Sequence, residues 1–251
     1  MKSGRVAEYL RERLKAGPVH FTLIDPEKSS ATDAAALAGG AVAAGSHAIL
    51  LGGSTGISPE RMGAAARAVR AVVTVPTIIF PEGPGSLSGE ADALLFMSLL
   101  NSRNPELLIR AQARAALQVR RMGIEPIPLG YLVIAPGMRV GEVGQADPVS
   151  RGDLLGAQGY ALAAEMLGMR FVYLEAGSGA PEPVPPEMVR AVREVLAVPL
   201  VVGGGIRTGT EAGRILDAGA QVLVTGTVAE EGGLSGGLRE ILAEVARRRG
   251  R

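Results

Sequence analysis

The sequence predicts an α/β fold, a (β/α)8 barrel of the TIM type with its third helix missing or irregular. Three observations lead there. Eight short apolar runs recur along the 251 residues, each closing on Gly, Asp, Glu, Ser or Thr. Most are separated by alanine-rich stretches with helical spacing. Eight strand-helix units in about 250 residues is the size of such a barrel. Runs that are apolar throughout, alternating with helices, indicate a parallel sheet covered on both faces. A doubly wound open sheet is the rival arrangement of the same units.

The N-terminal "MKSGRVAEYLRERLKAG" has Val6, Tyr9, Leu10 and Leu14 at helical spacing with charges between them, which predicts an amphipathic surface helix. The strand candidates follow in order: "HFTLID" (20–25), "HAILLGGS" (47–54), "VPTIIFP" (75–81), "ALLFMS" (93–98), "IPLGYLVIAPG" (127–137), "FVYLEAGSG" (171–179), "VPLVVGGG" (198–205) and "VLVTGT" (222–227). Helices are expected over "DAAALAGGAVAAG", "PELLIRAQARAALQVRRMG", "GAQGYALAAEMLG", starting near Leu154, and "GTEAGRILDAG". One unit breaks the rhythm. Between Phe80 and Asp92 stands "PEGPGSLSGEA", whose prolines and glycines make it too short and broken for a crossover helix. A second irregular stretch, "APGMRVGEVGQADPVSRGD", follows the fifth strand and is a candidate ligand loop or lid.

Composition narrows the function. Hydrophobic residues at 47% against 20% charged exclude a disordered chain. A formal net charge of +1 argues against a nucleic-acid binder and for small-molecule partners. The absence of cysteine removes disulfides, thiolate metal sites and thiol nucleophiles, and suits a reducing compartment. No signal peptide is recognised and no apolar run reaches the roughly 18 residues of a membrane span. The expectation is a soluble, cytoplasmic protein, folded as one barrel domain over residues 1–251 with an N-terminal helix. The C-terminal "RRRGR" reads as a solvated tail, with weak attraction to anionic lipid as the alternative.

In such barrels the active site lies at the C-terminal strand ends, so polar residues there are read together. "GGG" (203–205) follows the seventh strand and "TGT" (225–227) the eighth, the pair of loops that frequently binds phosphate through exposed backbone N–H groups. Glycine would let the backbone approach the anion without a Cβ between. The G-x-G-x-x-G spacing of a dinucleotide fold is absent. Arg207 would add charge there or stand in solvent. Asp25 ends the first strand in "LIDPEK", where a carboxylate suits magnesium and equally suits a turn cap before proline. Ser54, after the second strand, would complete such a metal site or cap the next helix. Glu175 in "YLEAGSG" is a candidate general base whose basicity burial would raise. Tyr173, two residues earlier, points to the same side. His20 and His47 begin the first and second strands, on the stability face, and read as structural; two histidines without cysteine fall short of a zinc site.

The stretches "HFTLIDPEK", "GSHAILLGGSTG", "FMSLLNSRNP", "YLEAGSGAPEPV", "VVGGGIRTG" and "VTGTVAEE" span nearly the whole chain in order, and together the sequence resembles the geranylgeranylglyceryl phosphate synthase family. These are archaeal-type prenyltransferases with related bacterial members. The resemblance implies a barrel lacking its third helix, in agreement with the gap read from the prolines and glycines. It implies Mg²⁺-dependent transfer of a geranylgeranyl group from geranylgeranyl diphosphate to the 3-hydroxyl of sn-glycerol 1-phosphate, an ether-lipid reaction. It assigns Asp25 and Ser54 to magnesium. It assigns Tyr173, Leu174, Glu175, Ala176, Gly177, Ser178 and Gly179, with Gly204, Gly205, Gly226 and Thr227, to glycerol phosphate, and proton removal to Glu175. A groove of aliphatic and alanine side chains is expected for the prenyl tail, and association into a homo-oligomer.

Two positions depart from the family pattern: Glu82, where members often carry glycine after "FP", and Glu142, where they often carry an aromatic. Both bear on chain length and assembly more than on the reaction. The rival readings are another phosphate-binding barrel enzyme, an isomerase or lyase of a phosphorylated metabolite, and an inactive relative that kept the phosphate site.

Overall fold

Alternation of side chains along eight strands decides what fills this molecule and where its mouth opens. The computed structural model describes residues 4–53, 56–232 and 236–250. Strands β1 (Val19–Ile24), β2 (Ala48–Leu51), β3 (Thr77–Ile79), β4 (Ala93–Leu99), β5 (Glu125–Val133), β6 (Phe171–Glu175), β7 (Leu200–Gly203) and β8 (Val222–Thr225) pair in parallel in chain order. β8 returns to β1, closing the barrel; the helices run in chain order α1 (Arg5–Lys15), α2 (Ala31–Ala43), α3 (Pro59–Arg70), α4 (Ala111–Met122), α5 (Met138–Val143), α6 (Leu154–Met166), α7 (Pro186–Val195), α8 (Gly209–Asp217), α9 (Thr227–Gly232) and α10 (Gly237–Arg247). All eight expected strands are present, and the fold class is borne out.

Residues of one parity point into the barrel. Val19, Phe21, Leu50, Ile78, Leu95 and Leu129 share an interior cluster with Tyr131 and Tyr173. The other parity, including Ile24, Leu51, Leu132, Leu174 and Val202, packs outward under the helices. Small side chains allow close helix docking: Ala34, Ala38 and Ala41 of helix α2 (Ala31–Ala43) are fully buried. A Cβ on Gly130 of β5 would lie 2.7 Å from the Cβ of Ala164 on helix α6 (Leu154–Met166), so that pair sets the distance between strand and helix.

Helix α1 (Arg5–Lys15) lies not on a side of the barrel but across its lower end, where Val6 and Leu10 join the interior cluster. Glu125, at the start of β5, accepts the N–H groups of Val6 (2.7 Å) and Ala7 (3.0 Å), two donors that an isolated helix start would leave unpaired. Near the start of β1, His20 is fully buried, its Nε2 2.9 Å from Thr225 Oγ1 and its Nδ1 3.2 Å from Ser46 Oγ. Burial pushes its pKa down to about 3, so it stays neutral. His47 accepts the His20 N–H, and burial with nearby Arg249 and Arg13 holds it down to about 4. Both are structural, as their strand positions imply.

The "RRRGR" end is not a solvated tail over the described residues. After helix α10 (Gly237–Arg247), Arg248 pairs with Asp217 and Glu244, and Arg249 donates to the carbonyls of Arg13, Gly17 and Pro18. These contacts latch the C-terminus to the closed end. Among the described residues no helix is long and apolar enough to cross a membrane.

The third crossover helix is absent. Between β3 and β4 stands only a 3-10 turn, Pro84–Ser86. Proline removes backbone donors, and the turn is pinned by Ser86, whose Oγ accepts the Glu82 N–H at 3.3 Å and donates to the Gly83 carbonyl at 3.0 Å. β4 is followed by one π turn (Glu106–Arg110) and helix α4 (Ala111–Met122). The second irregular stretch carries a short helix α5 (Met138–Val143), anchored from below by Asn101 and by Ser102, whose Oγ donates to the Gly144 carbonyl at 2.7 Å.

Candidate active site

Glu175, the last residue of β6, stands in the barrel mouth with only 6% of its surface exposed. Its Oε1 accepts the Gly177 N–H at 2.7 Å, and both Tyr173 and Tyr131 hydrogen-bond its carboxylate. Burial raises its pKa, and those three donors oppose the rise. Burial and the Glu175 charge push both phenols well above the usual tyrosine range, so they remain proton donors. The register of β5 on β6 sets Tyr131 opposite Tyr173, ring centroids 4.9 Å apart and nearly edge to face. Phe80 from the end of β3 completes the cluster, 5.6 Å from Tyr131 and 6.1 Å from Tyr173.

The three glycines that end and follow β7 accommodate this arrangement. A Cβ on Gly203 would strike the Tyr173 hydroxyl; one on Gly204 would strike Glu175 Oε1 and the Gly177 backbone; one on Gly205 would lie 2.6 Å from the carbonyl of Glu182. Gly204 (φ 81°) and Gly205 (φ 72°) are also left-handed, a conformation that favours glycine. The bare backbone therefore first makes room for the protein's own carboxylate, phenol and neighbouring loop. Gly204 and Gly205 face Gly226 and Thr227, which follow β8, across one cavity, and Ser178 Oγ lies 3.1 Å from Thr227 Oγ1. Arg207 is exposed to solvent, as one of the two expectations has it, and its guanidinium also donates to the carbonyls of Gly179, Ala180 and Pro181, bracing the β6–α7 loop before helix α7 (Pro186–Val195).

At the opposite side of the mouth Asp25 is buried at the end of β1. Its Oδ1 accepts the Glu27 N–H at 2.9 Å, which is the turn-capping role, and its Oδ2 lies 3.9 Å from Lys28 Nζ. Asp25 also lines the cavity, so the cap leaves it at the cavity wall. Ser54 lies outside the described residues. Among the described residues no group of three or more His, Cys, Asp or Glu is placed to hold a metal ion. Glu82, leaving β3, lines the same end.

The cavity has a volume of about 410 Å³ and changes character along its length. One end is the polar set just described. The other is walled by Met97, Leu99, Leu107, Val140 and Val143, and runs on into a cleft of about 70 Å³ between the 3-10 turn and α4, lined by Leu87, Phe96, Ala111 and Ala115. Pro81, Glu82, Met97, Leu99 and Leu107 belong to both. A regular third helix would occupy that side of the barrel, and its absence leaves the cleft open.

Of the residues picked out in the sequence, Asp25, Tyr173, Glu175, Ser178, Gly179, Gly204, Gly205, Gly226 and Thr227 surround this one cavity. Leu174 and Ala176 do not: both side chains pack in the core between strands and helices. Gly177 acts through its N–H on Glu175. The period of two along β6 already carried that signal, since residues 173 and 175 share a face that 174 leaves. Tyr131 and Phe80 were missed; the same alternation on the fifth strand, with only four tyrosines in the chain, could have found Tyr131.

The pattern of the PcrB family matches residues 8–245. The geranylgeranylglyceryl phosphate synthase of Thermococcus gammatolerans is 49% identical over 245 residues, covering 98% of this chain and 97% of that protein. That of Methanothermobacter thermautotrophicus is 50% identical over 226 residues, covering 90% and 92%. The crystal structure of (S)-3-O-geranylgeranylglyceryl phosphate synthase from Thermoplasma acidophilum in complex with its substrate sn-glycerol-1-phosphate superimposes with a TM-score of 0.93 at 42% identity, covering 98% of this chain and 99% of that one.

Proposed function

The chain belongs to the PcrB family, and from that premise we propose that it transfers the geranylgeranyl group of geranylgeranyl diphosphate to the 3-hydroxyl of sn-glycerol 1-phosphate, releasing diphosphate. The observation that carries this reading is the single cavity that joins a polar end around Glu175 to an apolar cleft opened by the missing third helix.

The glycine loops after β7 and β8, with Ser178 and Thr227, bind the phosphate of glycerol phosphate, while the aliphatic cleft takes the prenyl tail. Held this way, the glycerol hydroxyl is close to the allylic carbon, which removes much of the entropic barrier. Glu175 takes the hydroxyl proton on its carboxylate as the carbon–oxygen bond forms and the carbon–diphosphate bond breaks. Tyr131, Tyr173 and the Gly177 N–H favour the ionised form of that carboxylate, against the burial that raises its pKa. Phe80 and the two tyrosine rings wall the reacting end from water.

The residues present suit a magnesium ion at the diphosphate end. Asp25, Glu82 and Glu175 line the cavity against Lys28 and Arg207 as its cations, and Arg207 already donates to three loop carbonyls. A diphosphate added to that balance calls for a hard cation held by oxygen ligands, with Asp25 as its protein ligand and Ser54 as a second. When bound, the ion neutralises the leaving diphosphate. Exposed Leu155, Met166 and Leu167 on and just after α6 support association into a homo-oligomer; a monomer in sedimentation velocity at working concentration would refute it.

The test is product formation from labelled sn-glycerol 1-phosphate and geranylgeranyl diphosphate, with and without Mg²⁺, beside shorter and longer prenyl diphosphates and sn-glycerol 3-phosphate. A magnesium-dependent prenyl ether is expected, with Glu175→Gln turning over about 10²-fold more slowly or worse while retaining glycerol phosphate. Glycerol phosphate binding with no ether from any chain would leave a phosphate-binding barrel of another activity.

A further inference from the structure

We propose that Glu82 is a second carboxylate ligand for the divalent cation at the Asp25 end of the cavity, a role that rests on the prenyl-transfer reading above. The barrel places the two residues side by side. Ile24, Leu51 and Ile79 stand at one level in the register of β1, β2 and β3, so Asp25, Gly53 and Glu82 leave three adjacent strand ends toward the same space. The backbone between them is bare: a Cβ on Gly53 would run into the Asp25 carboxylate.

Glu82 is held in this position by its surroundings. With no helix after β3, its N–H is tied to Ser86 Oγ, and the backbone N–H groups of Gly56 and Ile57 address its carboxylate from the β2 side. Its Oε1 is nevertheless buried with no hydrogen-bond partner among the described residues. A desolvated carboxylate oxygen with no donor is costly, and the charges of Asp25 and Glu27 nearby add repulsion. A cation between Asp25 and Glu82 removes both costs at once. Magnesium commonly takes one or two carboxylates, with phosphate oxygens and water completing its shell, and this pair supplies that set beside the diphosphate. A glycine at position 82 would leave Asp25 as the one carboxylate there, so Glu82 predicts tighter cation binding in this chain.

The experiment is an Mn²⁺ titration of the full chain, read by loss of the free-ion electron paramagnetic resonance signal, with inorganic diphosphate and no prenyl substrate. The unsubstituted protein is compared with Glu82→Gln, Glu82→Asp and Asp25→Asn, each checked for an unchanged near-ultraviolet circular dichroism spectrum. Glu82→Gln is expected to weaken Mn²⁺ binding about tenfold or more, with Glu82→Asp between it and the unsubstituted chain. Unchanged affinity in Glu82→Gln beside a loss in Asp25→Asn overturns the role of Glu82 and leaves the Asp25 site standing. No Mn²⁺ binding by the unsubstituted protein overturns both, while prenyl ether formed by that same protein would still support the transfer reaction.

Discussion

The hydroxyl of Tyr173 occupies the space that a Cβ on Gly203 would need. In the register of β6 on β7 Gly203 pairs with Glu175, two residues along from Tyr173, so the glycine is a condition for the phenol reaching Glu175. Gly203→Ala should therefore displace Tyr173, lowering stability by about 1–3 kcal/mol and turnover with it. Adding Tyr173→Phe removes the nearest colliding atom, so the double variant should recover part of the lost stability and none of the activity. Urea unfolding of the four proteins checks this, and strictly additive losses would show that the two positions do not interact.

Tyr131→Phe removes one of three donors that hold the Glu175 pKa below where burial would push it. Glu175 works ionised, so activity is lost as pH falls through its pKa. Losing a donor to the ionised form raises that pKa, and the acid limb of kcat should move to higher pH in the variant. An acid limb that stays in place or moves to lower pH would remove Tyr131 from the support of Glu175.

Ala111 lines the cleft between the 3-10 turn and α4. Ala111→Phe should shorten the space for the tail, reducing kcat/KM for geranylgeranyl diphosphate relative to farnesyl diphosphate by about tenfold. An unchanged ratio would place the tail elsewhere.

Buried His20 and half-buried His47, with pKa values of about 3 and about 4, make folding sensitive to acid. Above about pH 6.5 the histidines are neutral in folded and unfolded chains alike. Below it the unfolded chain takes up protons that the folded chain does not, so this contribution to stability falls as pH drops from about 6.5 toward 4. Each histidine contributes a slope of up to about 1.4 kcal/mol per pH unit. His20→Gln should lose its share of that slope in urea unfolding between pH 7 and 5; an equal slope in both proteins would mean that His20 is not held neutral.

What the chain determined by itself is what local rules can carry. Short apolar runs closed by turn-forming or polar residues marked all eight strands, and Pro81, Gly83, Pro84 and Gly85 marked the absent helix because proline and glycine act within a few residues. A carboxylate at a strand end, Glu175, was legible for the same reason. Tertiary structure alone decided the rest. Tyr131 lies 42 positions before Tyr173 in sequence, and only the β5–β6 register brings their rings together. The glycines after β7 were legible as an approach to phosphate, but their first demand comes from Tyr173, Glu175 and Glu182, which β6 and its loop place against them. Arg207 turned to carbonyls of that loop, Arg248 and Arg249 docked, and Glu82 came to line one cavity with Asp25, its Oε1 buried without a partner. Each depends on contacts between distant segments, which become defined only when the barrel closes and fixes every strand against its neighbour.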